Sequence, residues 1–264
     1  MTKIYEALER AKRQARVFET EHAEEQTRRE EPAERGLPAP KLDALTLLPQ
    51  ASQEDLDLED EMIALYQTID SLLPSVDHKV IQFIGSKQGE GTSTIVREFA
   101  RAMALKLDKL VLLLDIYRHS SNLRLFHEGE PERYDLNEIL DKSVPIDKAI
   151  VQIQNSKLYV SPLFQQTTLT PHMLDTPQAN DFWASLRERF DFILIDSPPA
   201  TLSSDSFSMV RRADGVVLVV EAERTKWPVA AAVRDKVVQH GGNLLGIVFN
   251  RRKYYIPGWL YRRI

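Results

Sequence analysis

The chain contains no cysteine, and that absence removes a disulfide framework, a thiolate zinc site and a cysteine nucleophile. No apolar run approaches the roughly 20 residues that a bilayer-spanning helix needs. The start, Met1-Thr2-Lys3-Ile4-Tyr5-Glu6, lacks the apolar core of a secretory signal. The positive excess of a nucleic-acid binder is missing too. Lysine and arginine number 34 against 39 acids, a formal net charge of −5, so no nucleic-acid partner is expected. These absences lead to the expectation of a cytoplasmic protein, with any membrane association peripheral and at the inner face. What is present, 264 residues with 43% hydrophobic and 28% charged, suits one α/β domain with a polar extension.

Along the chain, Ile4, Leu8, Ala11, Ala15 and Phe18 repeat at spacings of four and three. They form one narrow helical stripe, with Arg10, Lys12, Arg13 and Arg16 outside it. Residues 1–18 therefore read either as a docking helix or as a helix folded back on its own domain. Residues 19–45, rich in Glu, Arg, Ala and Pro without apolar periodicity, read as a disordered linker. A second helix is expected from Leu56 to Leu73, with Met62, Leu65, Tyr66, Ile69 and Leu72 on its apolar side and Pro74 ending it. From Lys79 the pattern alternates. Strand-like runs occupy Val80–Ile84, Leu110–Leu114, Leu158–Val160, Phe192–Ile195, Val216–Val220 and Leu244–Phe249. Helical stretches lie near Ser93–Leu107, Leu136–Leu140, Asp181–Arg189, Ser203–Arg211 and Pro228–His240. Such alternation implies a mostly parallel sheet flanked by helices on both faces, in a domain spanning residues 46–250. The almost wholly apolar strands agree with a sheet covered on both sides.

The most informative stretch is Val80-Ile-Gln-Phe-Ile-Gly-Ser-Lys-Gln-Gly-Glu-Gly-Thr-Ser-Thr94. A strand runs into a glycine-rich turn and then a helix, the layout of a phosphate-binding loop. Gly85, Gly89 and Gly91 permit a tight turn whose backbone N–H groups converge on an anion at a helix N-terminus. Two positions depart from the template G-x-x-x-x-G-K-[ST]: its first glycine falls at Ser86, one place after Gly85, and its lysine is Thr92. Ser93 and Thr94 still supply hydroxyls for a magnesium ion. The cradle, with Gly89, Glu90, Gly91, Thr92, Ser93 and Thr94, is present while its principal charge is missing. Asp115 and Asp196 each close an apolar strand, Val111-Leu-Leu-Leu-Asp115 and Phe192-Ile-Leu-Ile-Asp196. A carboxylate there can hold magnesium or its water shell beside a bound triphosphate. An aspartate after a strand can also simply begin a turn. Two of them, with a glycine loop on a third strand, favour the phosphate site.

This combination resembles the bacterial tyrosine kinases, relatives of the deviant P-loop ATPases that position septa and partition plasmids. The resemblance covers roughly residues 56 to 264. It rests on Gly89-Glu-Gly-x-Ser-Thr94, Asp115, Asp191-Phe-Ile-Leu-Ile-Asp-Ser-Pro-Pro199, Ser204-Asp205, Ala213-Asp-Gly-Val-Val-Leu-Val-Val220 and Leu245-Gly-Ile-Val-Phe-Asn250. It implies a P-loop fold of the deviant Walker A type that binds ATP or ADP with Mg2+. It further implies a partner, a membrane polysaccharide co-polymerase of the chain-length determinant type, in capsule and exopolysaccharide assembly. Homo-oligomers, and phosphorylation of a C-terminal tyrosine cluster, belong to the same expectation. Position by position, Ser93, Asp115 and Asp196 would hold magnesium, the two aspartates serving catalysis as well. Asn250 would sit where relatives contact adenine, unless it is ordinary turn chemistry.

The departures bear on activity. Besides Thr92, the resemblance calls for a second acid where Tyr117 stands, and for two arginines where Ala64 and Gln67 stand. The tyrosine-rich tail shrinks to Tyr254, Tyr255 and Tyr261 within the basic, aromatic residues 251–264. Lys87, in the place of the extra lysine that deviant P-loop ATPases use across a dimer, could compensate, as could Arg97 or Arg118. All three also read as solvated surface charges. Three functions stay open: a weakened tyrosine autokinase of polysaccharide export, a non-catalytic adaptor on the same fold, and a nucleotide-dependent positioning switch.

Overall fold

The computed structural model describes residues 53–116, 136–141, 144–161 and 171–252. Residues 1–18 and 19–45, Tyr117, Arg118 and the tail tyrosines lie outside the described residues. The elements run α1 (Gln53–Leu72), β1 (Lys79–Gly85), α2 (Thr92–Lys106), β2 (Val111–Asp115), α3 (Leu136–Leu140), β3 (Val151–Gln152) and β4 (Leu158–Ser161). Then come α4 (Pro171–Leu174), α5 (Pro177–Arg189), β5 (Phe192–Asp196), α6 (Asp205–Ser208), β6 (Gly215–Glu221), α7 (Trp227–Gln239) and β7 (Leu244–Asn250). No described helix is long and apolar enough to cross a membrane.

Seven strands form one sheet in the order β3-β4-β2-β5-β1-β6-β7, parallel throughout except that β3 runs antiparallel to β4. Because side chains alternate across a strand, each apolar strand feeds two cores. Ile81, Phe83, Val111, Leu113, Phe192 and Leu194 pack with Met62 and Ile69 of α1 and Phe99 of α2. Their neighbours Val80, Leu112, Leu114 and Ile193 pack with Trp183 and Leu186 of α5. Ile84, Val216 and Leu218 meet Val233 and Val237 of α7. This is the expected sheet with helices on both faces. Phe83 and Phe99 are wholly buried, and burying each such ring contributes about 1.5–3 kcal/mol.

Several local expectations need correction. The buried stripe is Met62 and Ile69 of α1 and Leu73 just past its end, while Leu72 is 49% exposed. A helix advances 3.6 residues per turn, so Leu73, four after Ile69, returns to the core. The stretch 203–211 is a single short turn, α6, followed by a 3-10 turn at Val210–Arg212. Helix α5 begins at Pro177, not Asp181. Thr176 caps it, its Oγ1 accepting from Ala179 N at 3.1 Å, and proline suits the first helical position because its missing N–H would lack a helical partner there. The two-residue β3 was not visible as a run. It pairs through a turn in which Gln154 and Asn155 both have positive φ, 47° and 54°, a backbone that suits tight hairpins.

Candidate functional site

The strand order decides where the chemistry gathers. β5 lies between β1 and β2, so the glycine loop after β1, Asp196 at the end of β5 and Asp115 at the end of β2 share the carboxyl edge of the sheet. In parallel α/β sheets ligands bind there. Asp115 stands directly opposite Asp196 in register, and Asp196 opposite Phe83, two residues before Gly85. The chain after β5 is stitched to the same edge, with Ser197 N donating to Phe83 O at 3.2 Å and Ala200 N to Gly85 O at 2.9 Å.

The loop needs its glycines. Gly89 and Gly91 both have φ +86°, the left-handed region that side chains disfavour. A Cβ on Gly91 would lie 2.2 Å from Asn250 Nδ2, and one on Gly85 would lie 2.5 Å from Thr92 Oγ1. Gly91 caps α2 without any side-chain hydrogen bond, and the first turn of α2 holds no acid. The positive end of this helix is therefore left for an external anion. Lys87, Gln88, Gly89, Glu90, Gly91, Thr92, Ser93 and Thr94 line an open cleft of about 260 Å³, joined by Ser197, Pro199 and Arg251.

Glu90 does not face that cleft as a free acid. It is 2% exposed, and its carboxylate accepts from Ser86 Oγ at 2.7 Å, Lys87 N at 2.8 Å and Thr225 Oγ1. It holds the loop in shape and ties it to the segment after β6. Asn250 does the same from β7: its Nδ2 donates to Glu90 O at 2.8 Å, and its Oδ1 accepts from Arg251 N at 2.8 Å. Glu221 and Asn250 are register partners at the ends of β6 and β7, which explains how three strand ends converge on one loop.

The structure thus brings Lys87, Gly89, Glu90, Gly91, Thr92, Ser93, Thr94 and Asn250 together. Asp115 and Asp196 lie at the same edge but are both 0% exposed and form no part of the cleft wall. Ser197, one residue past Asp196, does. Arg97 pairs with Glu98 at 3.3 Å and does not line the cleft, so it is not brought to the phosphate side. Arg118, Tyr254, Tyr255 and Tyr261 lie outside the described residues. Sequence reasoning missed Arg251, Ser197 and Thr225. The signals were Ser197 inside the Asp191–Pro199 motif and the Arg251-Arg252 pair after Asn250, which reads as part of a basic tail. A second hollow, about 660 Å³, shares Arg251 with the cleft and is walled by Leu58, Met62, Leu65, Val248 and Asn250.

A nucleotide and magnesium fit these residues in kind. The cradle, the uncapped helix end and a hydroxyl at Ser93 suit a polyphosphate. No cluster of three or more metal-ligating side chains occurs among the described residues. Magnesium does not need one, since it is usually held by one or two carboxylates together with the phosphates.

Comparison with known proteins agrees with this geometry. Residues 78–228 match the AAA domain family. Tyrosine-protein kinase CpsD of Streptococcus agalactiae is 25% identical over 175 residues, covering 66% of this chain and 76% of that protein. The CpsD of Streptococcus pneumoniae is 26% identical over 180 residues, 66% of this chain and 76% of its own. Among solved structures, the kinase domain of VpsO has a TM-score of 0.61 at 24% identity, over 76% of this chain and 100% of that one. The kinase domain of the Escherichia coli tyrosine kinase ETK gives 0.62 at 17%, over 75% and 78%. The septum site-determining protein MinD from Pyrococcus horikoshii, complexed with Mg-ADP, gives 0.53 at 21%, over 70% and 76%. At these identities the structural likeness shows the fold. With the domain match extending over more than half of the 264 residues, the chain belongs to the AAA domain family of P-loop proteins and is a homologue of the bacterial tyrosine kinases.

Proposed function

We propose that this protein is a nucleotide-binding, tyrosine-kinase-like component of exopolysaccharide or capsule assembly, binding Mg-ADP and Mg-ATP weakly and phosphorylating its own C-terminal tyrosines at a reduced rate. The observation that carries the reading is the intact glycine cradle at an uncapped helix N-terminus, with Thr92 where a lysine would supply charge. Ser93, Asp115 and Asp196 are the residues that would hold magnesium, and the ion would offset charge on the phosphates. Asp196 is also the proposed catalytic acid of the site, with Asp115. Tyr254, Tyr255 and Tyr261 are the proposed acceptors. Asn250 braces the loop in addition to any contact with adenine.

The remaining parts of the reading rest on the sequence resemblance. These are a membrane polysaccharide co-polymerase as partner, peripheral attachment to the membrane through it, and self-association. Two observations favour a second reading, a non-catalytic adaptor. Thr92 leaves the transferring phosphoryl group without its usual cation, and both carboxylates are closed off from the cleft.

Calorimetric titration of the full chain with Mg-ADP and Mg-ATP, followed by mass spectrometry after incubation with Mg-ATP, separates the readings. Binding with tyrosine phosphate supports the kinase and binding without it the adaptor. Absence of binding would sink both nucleotide roles.

A further inference from the structure

Two described cations border the phosphate cleft, Lys87 on the loop and Arg251 just past β7, and they are held very differently. Lys87 is an exposed loop residue. Arg251 is built into position. Its φ of +56° lies in the left-handed region, uncommon for a residue with a long side chain. Its N–H is taken by Asn250 Oδ1, whose other end holds the loop carbonyl of Glu90, both at 2.8 Å. Ala222 N donates to Asn250 O at 2.8 Å from the other side. One asparagine therefore fixes where Arg251 leaves the sheet relative to the glycine loop.

The guanidinium itself is loosely kept. Its Nη1 stands 3.5 Å from Glu221 Oε2, and the side chain is 55% exposed. That separation is too long for a good hydrogen bond. Glu221 already has a second cation, Arg224 Nη1 at 3.2 Å, so the carboxylate stays paired if Arg251 leaves. A planar group with five donors, permanently charged and shaped for bidentate contact with phosphate, thus waits at the lip of a phosphate cradle that lacks its lysine.

We propose that Arg251 supplies the phosphate-binding charge missing at position 92. On binding a nucleoside di- or triphosphate it moves from Glu221 to the phosphate oxygens, while Arg224 remains on Glu221. This rests on the nucleotide reading above and assigns a residue to it. Position 251, between strand end and tail, replaces in space what position 92 lost in sequence.

The test uses the full chain, titrated calorimetrically with Mg-ADP and Mg-ATP, and with inorganic tripolyphosphate competing against a fluorescent ADP. Arg251→Gln should weaken Mg-ATP and tripolyphosphate in parallel, by about tenfold or more, the effect of one charge-assisted hydrogen bond. Arg251→Lys should retain part of the affinity, and Glu221→Gln should tighten binding by freeing the guanidinium. Adding Thr92→Lys to Arg251→Gln should restore affinity, because both place a cation on the same phosphates. The melting temperature without ligand should hold in Arg251→Gln, as expected of an exposed side chain.

Parent-like affinity in Arg251→Gln, with the parent binding nucleotide, overturns this assignment and leaves the nucleotide reading standing. Loss of nucleotide without loss of tripolyphosphate puts the guanidinium on the base or ribose and also overturns it. So does failure of Thr92→Lys to rescue. A parent that binds neither nucleotide nor tripolyphosphate overturns both.

Discussion

Thr92→Lys restores at the head of α2 the charge that the loop lacks. Thr92 is the first residue of that helix, after the left-handed Gly91. Its Oγ1 stands 2.5 Å from where a Cβ on Gly85 would be, so the side chain lies back across the loop. A lysine in that place carries its ammonium on four methylenes to an anion seated on the loop N–H groups. One charge-assisted hydrogen bond contributes about 1.5–3 kcal/mol, which is roughly 10- to 150-fold in Kd. Without nucleotide the balance tilts the other way. A cation at a helix N-terminus is unfavourable by about 0.3–1 kcal/mol, partly offset by a few tenths from exchanging a β-branched residue for a better helix former. The free protein should therefore melt at or slightly below the parent. With saturating Mg-ADP it should melt above it, since ligand at about 100 times Kd stabilises by about 2.7 kcal/mol. Calorimetric titration with Mg-ADP is the primary assay, with thermal melts as the cross-check. With Arg251 in place the gain should sit near the tenfold end, and it should be larger in the Arg251→Gln background because the two cations share one target. An unchanged Kd accompanied only by a lower melting temperature would refute the argument, since it would mean that position 92 does not act on phosphate.

Lys87→Ala removes an exposed cation from the cleft rim. Nucleotide affinity should fall while the melting temperature without ligand stays within about a degree, as for most surface substitutions; equal affinity would remove Lys87 from the site. Glu90→Ala takes away a buried carboxylate with three donors, Ser86 Oγ, Lys87 N and Thr225 Oγ1. Stranding them should cost about 1–3 kcal/mol in urea denaturation, and a midpoint like the parent's would show that the network is not stabilising. Autophosphorylation should fall on Tyr254, Tyr255 or Tyr261 and vanish in Asp196→Asn. Mass spectrometry finding phosphate on none of them in a protein shown to bind ATP would favour the adaptor. Deleting residues 1–45 should keep the cooperative melt of the remaining domain but abolish co-purification with a membrane polysaccharide co-polymerase. An unfolded product, or undiminished co-purification, would count against a docking helix.

Fold class was legible because it depends on local, repeating constraints. Strands covered on both faces must be apolar at nearly every position, as Val111–Leu114 and Phe192–Ile195 are, and helices between them must carry one apolar stripe. Where the signal was weaker than one full repeat it failed. The two residues of β3 give no periodicity, and Thr176 and Pro177 begin α5 by first-turn chemistry, ahead of its apolar repeat at Phe182, Trp183 and Leu186. Leu72 and Leu73 are adjacent in sequence, and only packing against the sheet decided which of them turned inward.

The glycine loop and Ser93 could be located from sequence because a strand–loop–helix turn is contiguous in the chain, whereas Asp115 and Asp196 were legible only as the ends of apolar strands, and the structure keeps both out of the cleft wall. The lost charge at Thr92 was equally plain, since it is one residue at one known place. The remainder of the site is contiguous only in space. Arg251 reaches the loop because β7 pairs with β6, β6 with β1, and Asn250 bonds across to Glu90. Thr225 reaches Glu90 for the same reason. A sequence of 264 residues fixes which side chains exist and which segments are helix or strand. Which strand ends become neighbours is settled by burying both faces of one sheet, and that non-local packing placed an arginine, separated from Thr92 by most of the domain, beside the cradle that Thr92 leaves uncharged.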